Sequence, residues 1–191
     1  SGLEERMLLV SGERGRAALE GLMRECGFSA VRAAGSGGEA RRLLSEGGFE
    51  LVLVNTPLPD EFGSALALET ARESDAGVAL LVNAPQADAV SAEVEDFGVF
   101  VVEKPFSRPM LFQSLRLVLA SRRRMLGLQR ENVRLNEKLE ELRLVSRAKG
   151  ALMRVLGMTE PQAHHYIEKQ AMNLRATRRE VARRILDACD E

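Results

Sequence analysis

The chain has 191 residues, enough for one ordinary domain and a smaller one with a core that needs no disulfide or metal. Its hydrophobic fraction of 45 %, its formal net charge of -1 and its lack of tryptophan are typical of a globular, helix-rich protein and exclude a disordered one. No apolar run approaches the ~20 residues of a membrane helix and no signal-peptide pattern opens the sequence, so we expect a cytoplasmic protein. Cys26 and Cys189 lie far apart without metal-ligand spacing, which predicts reduced thiols.

Charge is distributed unevenly along the chain. Residues 1–106 contain 9 Lys and Arg against 18 Asp and Glu, whereas residues 107–191 contain 18 against 10. A polyanion is therefore expected to bind the C-terminal half, where neutralised phosphates supply affinity. The alternative is two solvated surfaces whose charges differ without a function.

Five short apolar runs alternate with amphipathic stretches in the first 106 residues. The runs predict strands at residues 7–10, 30–33, 51–54, 78–82 and 99–102, and the stretches predict helices at residues 15–26, 37–46, 63–74 and 87–96. Strands that are apolar on both faces and alternate with helices indicate a parallel sheet covered on both sides. We therefore predict an α/β, flavodoxin-like doubly wound domain, with reactive groups beyond the carboxyl ends of its strands.

Two segments at these carboxyl ends resemble the receiver domains of two-component systems. They are LVLVNTPLPDEFG, residues 51–63, and VEKPF, residues 102–106. In that family an aspartate at the end of the third strand accepts a phosphoryl group, and a pair of acids after the first strand holds Mg²⁺. A Thr or Ser ends the fourth strand, and a Lys precedes a proline after the fifth.

The residues at the reactive positions depart from this family pattern. The acceptor position holds Asn55, the carboxylate nearest the first strand is Glu13, the hydroxyl position holds Asn83, and Lys104 alone matches. One carboxylate and an amide make a weak Mg²⁺ site, and an amide forms no covalent phosphoryl intermediate. We interpret residues 1–106 as a pseudo-receiver domain without a metal site, in which Lys104 pairs with Glu13 or hydrogen-bonds to Asn55.

Residues 107–157 contain no proline beyond the first turn and predict one long helix. Residues spaced alternately by three and four form an a/d heptad seam, namely Met125, Leu128, Asn132, Leu135, Leu139 and Leu142. We predict that residues 107–142 are the last helix of the first domain continuing into a parallel two-chain coiled coil, with Asn132 fixing the register. The alternative is a solvated helix whose leucine stripe packs on its own domain. Two roles are open for the three adjacent arginines that follow, a solvated turn of the helix or a contact with nucleic acid: Arg122, Arg123 and Arg124.

The sequence after the coil predicts a three-helix bundle. Gly157 is suited to end the long helix in a left-handed cap. Thr159 with Gln162, and Thr177 with Glu180, have the spacing of capping boxes, and helices follow at about residues 160–173 and 178–188. Both short helices are expected to fold back on the end of the long one.

This bundle, residues 143–191, resembles the ANTAR domain, named for the AmiR and NasR transcription antitermination regulators. The resemblance is carried by AKG with LM at residues 148–153, GMTE at 157–160, Ala163, KQAM at 169–172 and REVA at 179–182. With the pseudo-receiver and the coil, nearly the whole chain resembles the AmiR branch of this family. The resemblance implies a regulator that binds paired hairpins in leader RNA so that a terminator does not form, and a ligand-sensing partner protein that sequesters it.

Seven side chains are candidate RNA contacts, because cations pair with phosphates and amides reach splayed bases. They are Lys149, Arg154, Gln170, Arg175, Arg178, Arg179 and Arg183. Gly150 indicates a close backbone approach, either by the second helix at Ala163 or Ala171 or by RNA. Tyr166 packs in the core or stacks on a base. Three methionines are expected to fill the core, namely Met153, Met158 and Met172.

The chain contains no evident nucleophile–base pair, phosphate-binding glycine loop or carboxylate pair, so we expect neither an enzyme nor a cofactor. His164 and His165 point about 100° apart on a helix, which argues against a joint metal site. The first alternative function is a DNA-binding transcription factor of response-regulator type, because the C-terminal helices have the size of a helix-turn-helix. The second is an interaction scaffold that binds no nucleic acid.

Overall fold

The computed structural model describes residues 3–189 and divides the chain into two compact units. The first unit ends at Leu126 and the second begins at Gly127. Among the helices in the described range, none combines the length and the apolar composition that a membrane crossing requires.

The first unit is a doubly wound α/β domain. Its strands are β1 (Leu3–Val10), β2 (Phe28–Ala34), β3 (Leu51–Asn55), β4 (Gly77–Asn83) and β5 (Val99–Lys104). Its helices are α1 (Glu13–Glu25), α2 (Gly37–Ser45), α3 (Ser64–Glu73), α4 (Ala84–Val94), a short 3-10 turn at Glu95–Phe97 and the start of α5 (Arg108–Leu156). All five strands are parallel in the order β2-β1-β3-β4-β5, which confirms the predicted fold class.

Alternate residues of each central strand serve two separate cores, as the period of two in a strand requires. Leu8 and Val52 pack on one face of the sheet with residues of α2, α3 and α4. Leu9 and Leu53 pack on the other face with α1 and the first turns of α5. Because both faces are covered, β3 is buried along its first four residues, which accounts for its unbroken apolar run.

Two helix starts differ from the sequence-based prediction. α4 begins at Ala84, three residues before the predicted start at residue 87. Pro85 fits in its first turn because the N–H groups there have no hydrogen-bond acceptor within the helix. α1 begins at Glu13, but Arg14 and Gly15 have non-helical dihedrals, with a φ of 86° at Gly15. The regular part of α1 therefore starts just after the predicted position.

Within the first unit, two arginines of α5 bond to the loops and strand at the edge of the sheet. Arg122 Nε donates to the Asp75 carbonyl at 2.6 Å, and Arg122 Nη1 pairs with Glu50 at 3.3 Å. Arg123 pairs with Glu5. Two of the three adjacent arginines are thus held by the domain itself instead of forming a solvated turn.

The second unit contains the predicted three-helix bundle, made of the end of α5 with α6 (Glu160–Leu174) and α7 (Arg178–Cys189). Gly157, with a φ of 65°, follows the last residue of α5. Both capping boxes form, since backbone N–H groups and side chains exchange hydrogen bonds at Thr159 with Gln162 and at Thr177 with Glu180. The buried core consists of Ala148, Ala151, Leu152, Ala163, Ile167, Val181, Ala182 and Leu186.

The methionines of the second unit do not all fill this core. Met158 packs partly buried against it, but Met153 and Met172 are 41 % and 79 % exposed, so the prediction for those two is wrong. Leu152 and Ala171, one residue away and about 100° around the helix, occupy the core-facing positions instead. Tyr166 packs against the core, as one of its two predicted roles required.

Candidate functional site

Hydrogen bonds link three polar side chains in a row at the carboxyl edge of the sheet. Lys104 Nζ donates to Asn55 Oδ1 at 2.9 Å and to the Thr56 carbonyl at 2.5 Å. Asn55 Nδ2 donates to Ser11 Oγ at 3.1 Å. Partial burial lowers the pKa of Lys104 below its ordinary value. Of the two partners predicted for Lys104, Glu13 and Asn55, the structure contains the hydrogen bond to Asn55.

Strand register explains why Ser11 belongs to this group. Val10 of β1 lies beside Val54 of β3, so the next residues along the two parallel strands, Ser11 and Asn55, also lie side by side. Ser11 is completely buried. No role for Ser11 is predicted from the sequence above, although the register of two adjacent apolar strands is a signal that places it beside Asn55.

The remaining predicted residues of this edge make no side-chain hydrogen bond to the group within the described residues. Glu13 is exposed and lines a cleft together with Asn55, Arg16 and the proline-rich loop after β3. Asn83 ends β4, with its backbone beside Lys104, and its side chain is exposed and does not cap α4.

The chemistry of this edge follows from its side chains. Across residues 3–189, no group of three or more His, Cys, Asp or Glu side chains is placed to hold a metal ion. The amide of Asn55 lacks the nucleophilic oxygen that phosphoryl transfer to a carboxylate requires. Its two polar atoms are instead engaged with Ser11 and Lys104.

Three of the seven candidate RNA contacts are ion-paired within the second unit. Lys149 Nζ lies 2.5 Å from Glu160 Oε1 at the start of α6, and this hydrogen bond lowers the pKa of Glu160. Two α7 arginines reach back to carboxylates of α5: Arg178 to Glu141 at 3.1 Å and Arg179 to Glu140 at 2.6 Å. These cations fasten the short helices to α5, and a phosphate that binds them competes with a carboxylate for their charge.

The other four candidates are differently placed. Arg154, Arg175 and Arg183 are exposed, and none has an ion pair in the part of the chain that the structure describes. Gln170 is half-buried on α6. Arg175 has a left-handed φ of 49° where α6 ends.

Gly150 has open space beside it. A Cβ added there would meet only Arg154 Nη1, at the ordinary contact distance of 3.7 Å. The predicted close packing of Gly150 against Ala163 or Ala171 is therefore wrong, and an approach by RNA stays a prediction.

The seam of α5 is exposed in the single chain. Its apolar members are Met125 (57 % exposed), Leu128 (59 %), Leu135 (53 %), Leu139 (51 %) and Leu142 (57 %). Asn132 lies among them and accepts a hydrogen bond from Asn136 Nδ2 at 2.8 Å. The leucine stripe does not pack on its own domain, so that alternative is wrong.

Comparisons with known proteins agree with both units. The profile of the ANTAR domain matches residues 133–186. Over 166 residues, the sequence is 34 % identical to the transcriptional regulatory protein PdtaR of Mycobacterium tuberculosis (strain ATCC 25618 / H37Rv), a match that covers 87 % of this chain and 81 % of that protein.

Solved receiver domains share the fold of the front of the chain. The response regulator receiver domain protein from Clostridium thermocellum has a TM-score of 0.57 at 16 % identity and covers 63 % of this chain and 98 % of that one. The signal receiver domain of an HD domain-containing protein from Pseudomonas fluorescens Pf-5 has a TM-score of 0.58 at 20 % identity, covering 65 % and 93 %. At such identities the likeness shows the fold alone. The ANTAR match and the relative from M. tuberculosis establish that the chain belongs to the ANTAR family of transcriptional regulators, and its front part has the receiver fold.

Proposed function

We propose that this protein is an RNA-binding transcription antitermination regulator that acts as a homodimer. In this role it binds hairpin elements in leader RNA and prevents a terminator from forming. The observation that carries the proposal is the ANTAR match over residues 133–186, which coincides with the basic part of the chain. In this proposal the chain has three functional segments with the predicted boundaries: a pseudo-receiver at residues 1–106, a helix and coil at 107–142, and an RNA-binding domain at 143–191.

Electrostatics support RNA as the ligand of the second unit. Within this unit, the ANTAR match at residues 133–186 carries 12 Lys and Arg against 6 Asp and Glu, and several of the arginines are exposed without a carboxylate partner among the described residues. Such cations gain affinity by releasing counterions from phosphates. The seven candidates from Lys149 to Arg183 are the proposed contacts, and the role is regulatory, without catalysis or a cofactor.

The exposed seam supports a homodimer. α5 has 49 residues and is about 74 Å long at the helical rise of 1.5 Å per residue, more than the core of one small domain covers. Five apolar side chains at heptad spacing remain more than half exposed along it. A parallel second copy buries them and places the two Asn132 amides opposite each other.

The group around Asn55 supports control without aspartyl phosphorylation. Lys104 matches the family pattern, but its amine already donates hydrogen bonds to Asn55 and to the Thr56 carbonyl. Ser11 follows β1 at the place where the family has acids, and it accepts a hydrogen bond from Asn55. We propose that a ligand-sensing partner protein or dimerisation controls the regulator. The acidic surface of the first unit is where such a partner is expected to bind.

The experiment that tests the function is crosslinking of the full-length protein in cells, followed by sequencing of the recovered RNA. A gel shift then lets the recovered hairpin RNA compete with duplex DNA of the same sequence. We expect hairpin RNA to be recovered and to win the competition. A DNA-binding factor predicts the reverse, and a scaffold predicts that neither nucleic acid binds at any salt concentration.

A further inference from the structure

One face of α5 in the second unit carries three exposed arginines. Arg143, Arg147 and Arg154 are separated by four and seven residues. At 3.6 residues per turn, these separations place all three within about 40° of one another around the helix. They form a cationic stripe that the sequence reasoning did not recognise as a unit, since it considered only Arg154.

These three guanidinium groups have no carboxylate partner in the part of the chain that the structure describes. Within the described residues none of them has an ion pair or a hydrogen bond to a side chain, in contrast to Arg178 and Arg179. The acids of α5 closest in sequence, Glu140 and Glu141, are engaged by the α7 arginines. The stripe therefore presents three charges whose attraction for a polyanion is not offset by a bound carboxylate.

Gly150 lies on the same face, between Arg147 and Arg154. The helical period places Gly150 within about 60° of each of these arginines around the helix axis. A side chain is missing where there is room for one, because an added Cβ meets only Arg154 Nη1 at 3.7 Å. Packing within the described residues of one chain thus gives no reason for the glycine, although a glycine inside a helix is less stable than an alanine. A ligand backbone that comes close to the helix between two arginines supplies that reason.

The stripe runs into a shallow cleft at its N-terminal end. Arg143 lines this cleft with Asn136 of α5 and Arg179 of α7, and two carboxylates of α5 also line it, Glu137 and the Arg179-paired Glu140. Asn136 falls in line with Arg143 and Arg154 around the helix. An amide at the end of a row of cations is suited to a base edge next to bound phosphates.

We propose that Arg143, Arg147, Gly150 and Arg154, here called the α5 basic face, form a binding path for the RNA backbone. Phosphates pair with the three arginines, and the strand comes closest to the protein at Gly150. This inference rests on the proposed function and adds Arg143 and Arg147 to the contacts expected from the sequence.

The first test removes the charges. The triple variant Arg143→Ala, Arg147→Ala, Arg154→Ala is compared with Arg130→Ala, Arg134→Ala, Lys138→Ala, which removes the same charge from exposed positions on the opposite side of the same helix. Binding of the full-length proteins to the hairpin RNA recovered by crosslinking is followed by fluorescence anisotropy across a salt series. We expect the first triple to weaken binding about tenfold or more and to lower the salt slope by about 2, at about 0.7 per lost phosphate contact. The second triple should stay within about twofold of the wild type and keep its slope.

The second test adds a methyl group without changing charge. Gly150→Ala is compared with Gly127→Ala, a helical glycine of the same helix that also has room for a Cβ. Both variants should fold and melt at or above the wild-type temperature, because alanine favours a helix. Only Gly150→Ala should weaken RNA binding, by severalfold.

Each outcome has a separate meaning. If the wild type binds the recovered RNA and the two triples behave alike, or the two glycine variants behave alike, the α5 basic face is not the RNA path and the proposed function stands. If crosslinking recovers no RNA, the proposed function fails and this inference fails with it. Circular dichroism and light scattering of every variant show that lost binding does not reflect lost folding or a changed oligomeric state.

Discussion

At the scale of single residues, Lys104 is fixed by its own domain. Its amine donates to Asn55 Oδ1 and to the Thr56 carbonyl, and it is partly buried. Lys104→Met leaves both acceptors without a donor, which should destabilise the first unit by about 1–3 kcal/mol. Urea denaturation of the full chain measures this change.

The matched control is Glu13→Gln. Glu13 belongs to the same degenerate site but is exposed, and it has no ion pair within the described residues. We expect its effect on the free energy of unfolding to stay within about 0.5 kcal/mol. Equal losses from Lys104→Met and Glu13→Gln would contradict the hydrogen-bonding pattern described for this edge.

Individual charges were the least predictable feature of the second unit. Lys149, Arg178 and Arg179 were expected to be available to RNA, but carboxylates from another helix engage each of them. Helical periodicity gives the face on which a side chain lies, but not the residue across the bundle that meets it. Ser11 is the opposite case, since the register of β1 and β3 is enough to place it beside Asn55.

At the scale of elements, the capping box of α7 makes a prediction about pH. The Glu180 carboxylate accepts from the Thr177 backbone N–H at 2.8 Å and from the Thr177 hydroxyl at 3.1 Å, which lowers the pKa of Glu180 below its ordinary 4.5. A carboxylate with a lowered pKa in the folded state contributes stability that is full above the ordinary pKa and is lost as the pH falls through the folded value. The α7 cap should therefore weaken only below about pH 4.5.

Glu180→Gln isolates this effect. Glutamine still accepts the hydrogen bond of the box but does not titrate. The difference in melting temperature between the wild type and Glu180→Gln, followed by circular dichroism from about pH 6 to about pH 3, should shrink as the pH falls. Other carboxyls with lowered pKa values, such as Asp60, are common to both proteins and cancel. A difference independent of pH would show that the charge of Glu180 contributes nothing to the cap.

Elements were predictable where a periodic pattern or a capping signal marks them. The alternation of apolar runs and amphipathic stretches revealed all five strands, and the spacing Thr-x-x-Gln and Thr-x-x-Glu placed the starts of α6 and α7. The role of Gly150 was not predictable, because sequence shows that a side chain is missing but not which neighbour is close. The prediction that Met153 and Met172 fill the core was wrong for a related reason. Apolar character alone does not determine which of two adjacent helical positions faces the core.

At the scale of the whole molecule, the exposed seam predicts an assembly that depends on Leu135 and Leu139. Replacing both with glutamate places charges where a second helix is expected to bury apolar side chains, at a cost of several kcal/mol. We expect the double variant to be a monomer by light scattering at concentrations where the wild type is a dimer. Val133→Glu is the control, because Val133 is equally exposed on the same helix but lies outside the heptad seam. A double variant that remains a dimer would show that another surface holds the two copies together.

The last prediction concerns the signal that the first unit receives. In a phosphorylated receiver domain a carboxylate attacks the phosphoryl donor while Mg²⁺ neutralises the developing charge. Here Asn55 offers an amide that is already hydrogen-bonded to Ser11 and Lys104, and Glu13 is the one carboxylate lining the neighbouring cleft among the described residues. We therefore expect Mg²⁺ with acetyl phosphate to leave the intact mass, the oligomeric state and the RNA affinity of the wild type unchanged.

Asn55→Asp separates the two missing parts of that chemistry. It restores an acceptor carboxylate 2.9 Å from the Lys104 amine, in place of Asn55 Oδ1, but leaves the residues after β1 as they are. If Asn55→Asp gains a phosphoryl group and the wild type does not, the acceptor alone accounts for the difference. If neither gains one, the acids that hold Mg²⁺ are also required, as the weak coordination expected from a single carboxylate predicts. A phosphoryl group on the first unit of the wild type, or an RNA affinity that changes with Mg²⁺ and acetyl phosphate, would overturn the pseudo-receiver interpretation and return control of the regulator to phosphorylation.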